Sequence, residues 1–401
     1  MTNRGRNFTY ITLADFLVRS AYQIGKTPLL PLFAASLGAG DAFLGFIVSV
    51  STLTGMVLKP FVGIFSDRWG RRAWLIAGTF FFAVVPFFYH FVHSPEQLFL
   101  IRIVHGLATA IYGPVTLAYV AEQTQRRRAE KLGLFSMARS AGYIVGPAAA
   151  GWLLLTMDPV AVFTIIGVLS MVAFVPVMLL AESLPVVLQK QRVPIRRQIA
   201  SAIKAGSRTP AVWLSGGLEA TMFVALYTIK AFLPVYTLAA GINVALVGLF
   251  FALQEAVHLL LKPFGGRFGD RVGHLKAVYL GMALLGLMLP ILTWTHSSLV
   301  LLIVAAMMGL AQAFVFPSTV ALISTQVTQN NLAAGMGILG TLQNAGKVAG
   351  PVIGGFLISW FGFSRTVQLM GLGLLVAALM IWLINSFNRR LPTGAARPSR
   401  L

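Results

Sequence analysis

Long apolar segments recur along almost the whole chain, and each can cross a lipid bilayer as a helix. A membrane helix needs about 20 mostly apolar residues. Such segments occur at 10–36, 42–65, 73–93, 97–121, 131–156, 159–181, 211–239, 243–266, 276–295, 298–322, 332–359 and 364–386. The composition agrees, since 57% of the 401 residues are hydrophobic and 10% are charged. The sequence therefore predicts an all-α membrane protein with twelve transmembrane helices.

The loops differ in charge on the two sides of the predicted membrane. If the N-terminus is cytoplasmic, the Lys and Arg residues of the loops collect on the cytoplasmic side, and Arg365 is the only one in an external loop. Cytoplasmic loops carry this excess in membrane proteins. The net charge of +20 therefore indicates orientation, and nucleic acid is not an expected partner. We predict a multi-pass protein of the inner (cytoplasmic) membrane with both termini cytoplasmic.

One long polar interruption, residues 182–210, separates the first six spans from the last six. We interpret residues 1–181 as an N-terminal six-helix bundle and 182–210 as a cytoplasmic linker. Residues 211–401 then form a C-terminal six-helix bundle with a short cytoplasmic tail. We expect the linker to be a flexible tether between the halves, and a basic amphipathic helix on the membrane surface at residues 195–203 is the alternative.

The two halves are related by an internal repeat. Residues 58–72 and 261–275 are identical at nine of fifteen positions, with an offset of 203. Glycines and prolines of span five recur in span eleven at an offset of 204. Parallel repeats of this kind place a transporter's substrate site at the interface of the halves, near the middle of the membrane. We therefore predict two pseudo-symmetric bundles around a central site.

The loop after span two carries an ordered set of glycine, aspartate and arginine residues, and a weaker copy follows span eight. This pattern resembles the signature loop of the major facilitator superfamily, and the resemblance implies the major facilitator fold. It also implies a conformational latch on the cytoplasmic side, to which an acid at the end of span four contributes. The matching residues are Gly63, Asp67, Arg68, Gly70, Arg71, Glu122, Asp270 and Arg271.

Span five carries a glycine-proline pattern that is repeated in span eleven. It resembles the motif of the superfamily's twelve-helix drug/proton antiporters, and the resemblance favours export over uptake. Small residues allow helix backbones to approach closely, so packing is part of their role. The motif residues are Gly142, Gly146, Pro147, Gly151, Gly346, Gly350, Pro351 and Gly355.

Several ionisable side chains lie inside the spans, where charge is costly and usually functional. Glu255 and His258 are three residues apart and share a helix face, so we predict that they form the main proton-exchange site. A permanent ion pair between Glu255 and a lysine is the alternative. Asp15 and Glu219 are further candidates for proton coupling. Arg102 matches an arginine that the family links to proton coupling, and extension of its side chain to the membrane surface is the alternative.

The predicted substrate site combines aromatic, amide and cationic side chains near the middle of the membrane. Its candidate residues are Tyr22, Lys26, Tyr112, Tyr227, Lys230, Gln254, Gln312, Gln343, Asn344 and Lys347. Three of these are lysines, and this excess is unusual for a site that selects lipophilic cations. An anionic substrate therefore stays open at this point.

These observations predict a secondary active transporter that works by alternating access. We expect proton-coupled export of small organic molecules or drugs, and hence a role in multidrug resistance. The alternative is proton-coupled transport of an organic anion, a sugar or a lipid-linked metabolite. No P-loop sequence is present, and neither a catalytic cluster nor a receptor-like extension is recognised, so we do not expect an enzyme or a receptor. We expect no metal and no cofactor, with the proton gradient as the energy source, and the resemblance implies a monomer.

Overall fold

The computed structural model describes residues 3–123, 128–182, 209–295, 297–327 and 329–390. Most of the predicted linker, including the alternative amphipathic helix at 195–203, lies outside these residues. The tail beyond residue 390 does so as well. The linker and the domain boundaries drawn from it therefore stay predictions.

Twelve helical spans, named α1 to α12, follow one another along the described chain. Those of the first half are α1 (Asn3–Lys26, continued as Leu29–Ser36), α2 (Asp41–Trp69), α3 (Arg71–Val84, continued as the 3₁₀ helix Val85–Phe91), α4 (Pro95–Gln123), α5 (Arg128–Leu153) and α6 (Pro159–Val172, continued as Phe174–Met178). Those of the second half are α7 (Pro210–Ala239), α8 (Val244–Val272), α9 (His274–Trp294), α10 (Ser298–Gln326), α11 (Gln329–Phe361) and α12 (Phe363–Arg390). The predicted number of spans is confirmed.

The turns between helices use residues suited to abrupt changes of direction. Gly70 and Gly273 connect α2 to α3 and α8 to α9 with φ angles of 86° and 102°, a conformation that glycine adopts at little cost. Asp158 caps α6, because its carboxylate accepts hydrogen bonds from the next helical N–H groups at 3.0 Å. Asn243 caps α8 in the same manner. The two glycine turns mark what we call the basic end of the bundle, and the other end is the opposite end.

Nine helices of the described chain are long and apolar enough to cross a membrane by length and composition: α2, α3, α4, α6, α7, α8, α9, α10 and α12. The other three are α1, α5 and α11. Each of them carries charged side chains within the bundle, including Asp15 on α1, Arg139 on α5 and Lys347 on α11. These charged side chains lower the mean hydropathy of the three helices.

Helix packing repeats between the two halves. In the first half α1 packs on α5 and α2 packs on α4, and in the second half α7 packs on α11 and α8 packs on α10. Contacts between the halves are made mainly by α2 with α11 and by α5 with α8. The fold is thus two related six-helix bundles, as the repeat predicted, joined along two helix pairs that leave a central space between them.

Candidate functional site

A cavity of about 240 Å³ lies between the two halves. Side chains of α5, α7, α8, α10 and α11 line it, and the lining mixes aromatic, cationic and acidic groups. The residues that line it are Ser140, Tyr143, Phe223, Leu226, Tyr227, Lys230, Glu255, His258, Leu259, Lys262, Gln312, Phe316 and Lys347. This lining offers both apolar surface and charge to a ligand, as small-molecule sites do.

The halves are in backbone contact at the opposite end. A side chain added at Gly45 would strike the backbone of Pro351, and one added at Gly355 would strike the backbone of Asp41. Gly151 of α5 and Gly248 of α8 likewise approach each other too closely to admit a β-carbon on either. These contacts close the cavity at the opposite end.

Comparably close contacts between the halves are not seen at glycines nearer the basic end. A β-carbon added at Gly63 of α2, Gly133 of α5 or Gly340 of α11 would meet no atom of the described chain within 4 Å. We therefore interpret the structure as a state that is open toward the basic end.

The glycines of the predicted packing motif fall into two groups, which face a helix of the same half or a helix of the other half. Gly142 and Gly146 face α1 at Ser20 and Gln23 within the first half. Gly346 and Gly350 face α7 at Ala220 and Val224 within the second half. The last glycine of each copy, Gly151 or Gly355, instead faces the other half. The motif therefore packs each bundle and also forms the contact between bundles.

Glu255 and Lys230 form an ion pair on the cavity wall, with Nζ and Oε1 2.8 Å apart. The second carboxylate oxygen of Glu255 lies 3.5 Å from Nδ1 of His258. The predicted pair of Glu255 and His258 is thus brought together, and a lysine joins it. Both arrangements considered from the sequence, an acid supported by histidine and an acid paired with lysine, are present at one place.

Aromatic rings surround the lysines of the cavity. Lys26 and Lys230 lie 5.3 and 5.4 Å from the ring centroid of Tyr227, and Lys347 lies 4.4 Å from that of Phe223. The face of an aromatic ring attracts a cation at such distances. With Lys262 also in the lining, the cavity wall holds more cationic than anionic side chains.

Asp15 of α1 is fully buried and is bonded by arginine. Arg139 of α5 donates to both of its carboxylate oxygens at 2.9 and 3.0 Å. Arg139 also donates to Oγ1 of Thr116 on α4 at 2.7 Å, and Arg19 lies 3.7 Å from Asp15. The predicted candidate Asp15 is thus part of a tight ion pair inside the first half.

Glu219 of α7 is also fully buried, but its partners are neutral. Gln343 of α11 donates from Nε2 to Oε2 at 2.5 Å. The hydroxyl of Thr319 on α10 bonds to Oε1. Within the described chain Glu219 has no ion-pair partner, although Lys347 and Lys262 lie near enough to influence its charge.

Arg102 is 1% exposed, so its side chain does not extend to the membrane surface. It donates to the Ser51 hydroxyl at 2.6 Å and lies 6.0 Å from the ring of Tyr22. Among the described residues no carboxylate pairs with Arg102. In this state Arg102 can therefore act on the charge of a proton-carrying carboxyl group only through space, without a direct ion pair among the described residues.

Not every predicted substrate contact reaches the cavity. Tyr112 is 1% exposed and packs edge-on against Phe82 inside the first half. Gln254 is also buried, whereas Gln312 lies in the cavity lining. Tyr143, which the sequence reasoning did not single out, lines the cavity as well. The repeat could have identified it, because Tyr143 is the counterpart of Lys347 at the offset of 204.

The predicted latch residues meet at the basic end of the first half. Arg71 bonds Asp67 at 2.7 Å and Glu122 at 2.5 Å, which ties α2, α3 and α4 together. In the second half Asp270 has His274 as its ion partner within the described residues, at 3.6 Å. The weaker copy of the motif is thus also weaker in its contacts.

Two related bundles around a central cavity that is open at one end define a membrane transporter of the alternating-access architecture. Comparison with known proteins agrees: the model of the Major Facilitator Superfamily matches residues 13–257 and 220–400. The chain belongs to the Major Facilitator Superfamily. It is therefore a multi-pass membrane transporter rather than an enzyme, and its bacterial relatives imply the inner membrane.

Relatives and solved structures cover nearly all of the chain. The "Uncharacterized MFS-type transporter YuxJ" of Bacillus subtilis (strain 168) is 28% identical over 392 residues, covering 94% of this chain and 98% of that protein. The "Multidrug resistance protein MdtG" of Citrobacter koseri is 25% identical over 409 residues, covering 98% of each. The crystal structure of the nucleoside transporter NupG superposes with a TM-score of 0.82 at 14% identity, over 96% of this chain and 99% of that one, which supports the fold.

Proposed function

We propose that this transporter exports small organic molecules in exchange for protons. The observation that carries the proposal is the central cavity, whose wall combines aromatic rings with an acid-histidine-lysine group, Glu255, His258 and Lys230. Aromatic surface accepts varied apolar ligands, and an ionisable group that changes partners allows proton binding and ligand binding to exclude each other. The name of the relative MdtG, a multidrug resistance protein, supports export of drugs.

The predicted orientation makes the cavity accessible to a cytoplasmic substrate, as export requires. If the basic end faces the cytoplasm, as the distribution of Lys and Arg predicts, the structure represents an inward-open state. A cytoplasmic substrate would enter this cavity, and the halves would then rock until the opposite end opens. The transporter would work as a monomer with both termini cytoplasmic, and the proton gradient would supply the energy.

Opening at the opposite end requires that α2 and α11, and α5 and α8, separate where their glycines touch. In the same step the basic end closes, and the latch around Arg71 lies at that end. We propose that Gly63, Asp67, Arg68, Gly70, Arg71 and Glu122, together with Asp270 and Arg271 of the second half, stabilise the closed form of the basic end.

A second candidate function is transport of an organic anion. It is favoured by the lysines of the cavity region, since Lys26, Lys230, Lys262 and Lys347 outnumber the single cavity acid Glu255. An anion that carries an aromatic group would pair with Lys347 and stack on Phe223. A sugar or a lipid-linked metabolite has no comparable feature in its favour.

The test uses purified protein in liposomes that contain a pH-sensitive dye. A proton gradient is imposed, and tetraphenylphosphonium, chloramphenicol or benzoate is added as a cationic, neutral or anionic probe. We expect the cationic or neutral probe to release protons from the lumen, and a Glu255→Gln variant to reduce this release. A response to benzoate alone would establish the anion function instead, and no response to any probe would refute proton antiport.

A further inference from the structure

The two halves contain the same three-residue network around a buried acid. In each half the acid lies on the first helix, a threonine lies on the fourth, and a third polar residue lies on the fifth. The equivalent pairs are Asp15 and Glu219, Thr116 and Thr319, and Arg139 and Gln343, at the repeat offsets of 204, 203 and 204. The networks are therefore counterparts in the repeat, and their differences are informative.

In the first half the network fits one protonation state only. A guanidinium group has donors and no acceptor and stays charged. Arg139 donates twice to Asp15 and once to Thr116, so Asp15 must accept. Thr116 accepts from Arg139 and donates its own hydrogen to the carbonyl of Tyr112 at 2.5 Å. A proton added to Asp15 would face a donor on each oxygen.

In the second half Gln343 takes the place of arginine, and both partners of Glu219 are able to donate or accept. The hydroxyl of Thr319 has one hydrogen but several acceptors within reach: Glu219, the carbonyl of Phe316 at 2.9 Å and that of Val315 at 3.2 Å. If Glu219 is ionised, Thr319 donates to the carboxylate. If Glu219 is protonated, it donates to Thr319, which then donates to Phe316. Both states are fully hydrogen-bonded.

Glu219 has basic side chains near it but no ion pair in the described chain. Lys347 of α11 and Lys262 of α8 are the basic groups that act on it, and neither forms an ion pair with it in the described chain. Residues 298–326 of α10 include no ionisable side chain. Both lysines line the cavity, and Lys347 follows Gln343 by one helical turn. A ligand or proton that enters the cavity therefore changes the field at Glu219.

We propose that Glu219 is a second carboxyl group that binds and releases transported protons, beside the cavity acid Glu255, with Thr319 and Gln343 as its adaptable partners, and that Asp15 is its permanently ion-paired counterpart. This inference rests on the proposed proton coupling. Glu219 connects α7, α10 and α11, and α11 also forms the contact with α2 of the other half. Its protonation therefore acts on a helix that moves when the halves rock.

Infrared spectroscopy tests the protonation directly and needs no transport substrate. Protein in lipid films is compared between acidic and alkaline buffer, and the C=O stretching band of a protonated buried carboxyl group is recorded. We expect a band that titrates in the wild type, is reduced in Glu219→Gln and further reduced when Glu255→Gln is added, and is retained in full in Asp15→Asn. If the wild type lacks this band, or if Glu219→Gln leaves it undiminished, the inference is wrong.

Transport assays test coupling through a variant that retains the acid. Gln343→Arg gives the second half the network of the first, so we expect Glu219 to become permanently paired. Proton-driven transport of the probe should then be lost, while exchange of labelled for unlabelled probe without a gradient continues. If Gln343→Arg retains proton-driven transport, the inference fails while antiport stands. If the wild type moves no probe against a gradient, antiport fails, and the infrared band still decides whether Glu219 binds a proton.

Discussion

The Nζ atom of Lys230 lies 2.8 Å from Oε1 of Glu255, and this ion pair links α7 to α8 on the cavity wall. Both side chains are less than one-fifth exposed, so solvent screens the pair only partly. Tyr227, within 5.4 Å of Lys230, further confines the lysine. A ligand charge that enters the cavity competes directly with this bond.

We expect Lys230→Gln to reduce stability and transport together. Without the lysine, Glu255 retains His258 as its partner among the described residues. Contacting charged residues typically show a coupling energy of about 0.5–3 kcal/mol. A double-mutant cycle with Glu255→Gln, measured by denaturation in mixed micelles, gives the coupling. The matched control is Lys262→Gln, which removes the same charge from the same cavity but no ion pair of the described chain. Equal effects of the two lysine variants would contradict the prediction.

The latch gives a second prediction. We expect Arg71→Gln to slow transport and to lower the free energy of unfolding by about 1–3 kcal/mol, because Asp67 and Glu122 each lose a charged donor. Measurement of transport rate and of denaturation in micelles checks this. Arg267→Gln, at an exposed position near the basic end of α8, serves as the control for loss of charge alone. If both variants changed the transport rate and the free energy of unfolding equally, Arg71 would contribute through its positive charge to membrane orientation and not as part of a latch.

The fold was predictable because each span is defined locally, by about 20 apolar residues. It was also predictable because the two halves share identical residues at a constant offset in the sequence. The contacts of the glycine-proline motif were also predictable in kind, since only small residues allow the approach seen at Gly151. Which glycine faces the other half was not predictable, because this depends on how each helix is rotated in its bundle.

The partners of the buried charged side chains could not all be predicted from the sequence. Asp15 and Lys26 are eleven residues apart on α1 and therefore share a helix face, but the partner of Asp15 is Arg139, 124 residues away. Similarly, Glu219 bonds Gln343 rather than the lysine on its own helix. Helical spacing determines which side chains share a face, whereas packing between helices determines which of them meet. The pair of Glu255 and His258 was predictable because both lie on one helix.

A third prediction concerns orientation, and the absence of cysteine from the sequence makes it simple to test. A single cysteine in place of Ser94, at the opposite end, should react with a membrane-impermeant maleimide added to intact cells. One in place of Arg68, at the basic end, should react only after the membrane is opened. The reverse pattern would mean that the basic end faces outward, against the positive-inside rule, and that the structure represents an outward-open state.

The closed opposite end gives the last prediction. A β-carbon at Gly248 would contact the carbonyl oxygen of Pro147 and the backbone of Gly151, and backbone atoms can move away only if α5 separates from α8. Overpacking of this kind costs about 1–3 kcal/mol. Because the cost applies only while the opposite end is closed, Gly248→Ala should shift the population toward the state that is open there, by about 5- to 150-fold.

Labelling of one cavity position from each side measures this shift. In a Leu259→Cys background, where the cysteine lines the cavity, we expect Gly248→Ala to slow labelling from the basic end and to accelerate it from the opposite end. Gly340→Ala is the matched control, because the added methyl group meets no atom of the described chain within 4 Å, and it should leave both rates unchanged. If Gly248→Ala left the ratio of the two rates as in the control, the contact between α5 and α8 would not be what holds the opposite end closed. A shift in that ratio would identify the last glycine of the motif as part of the gate.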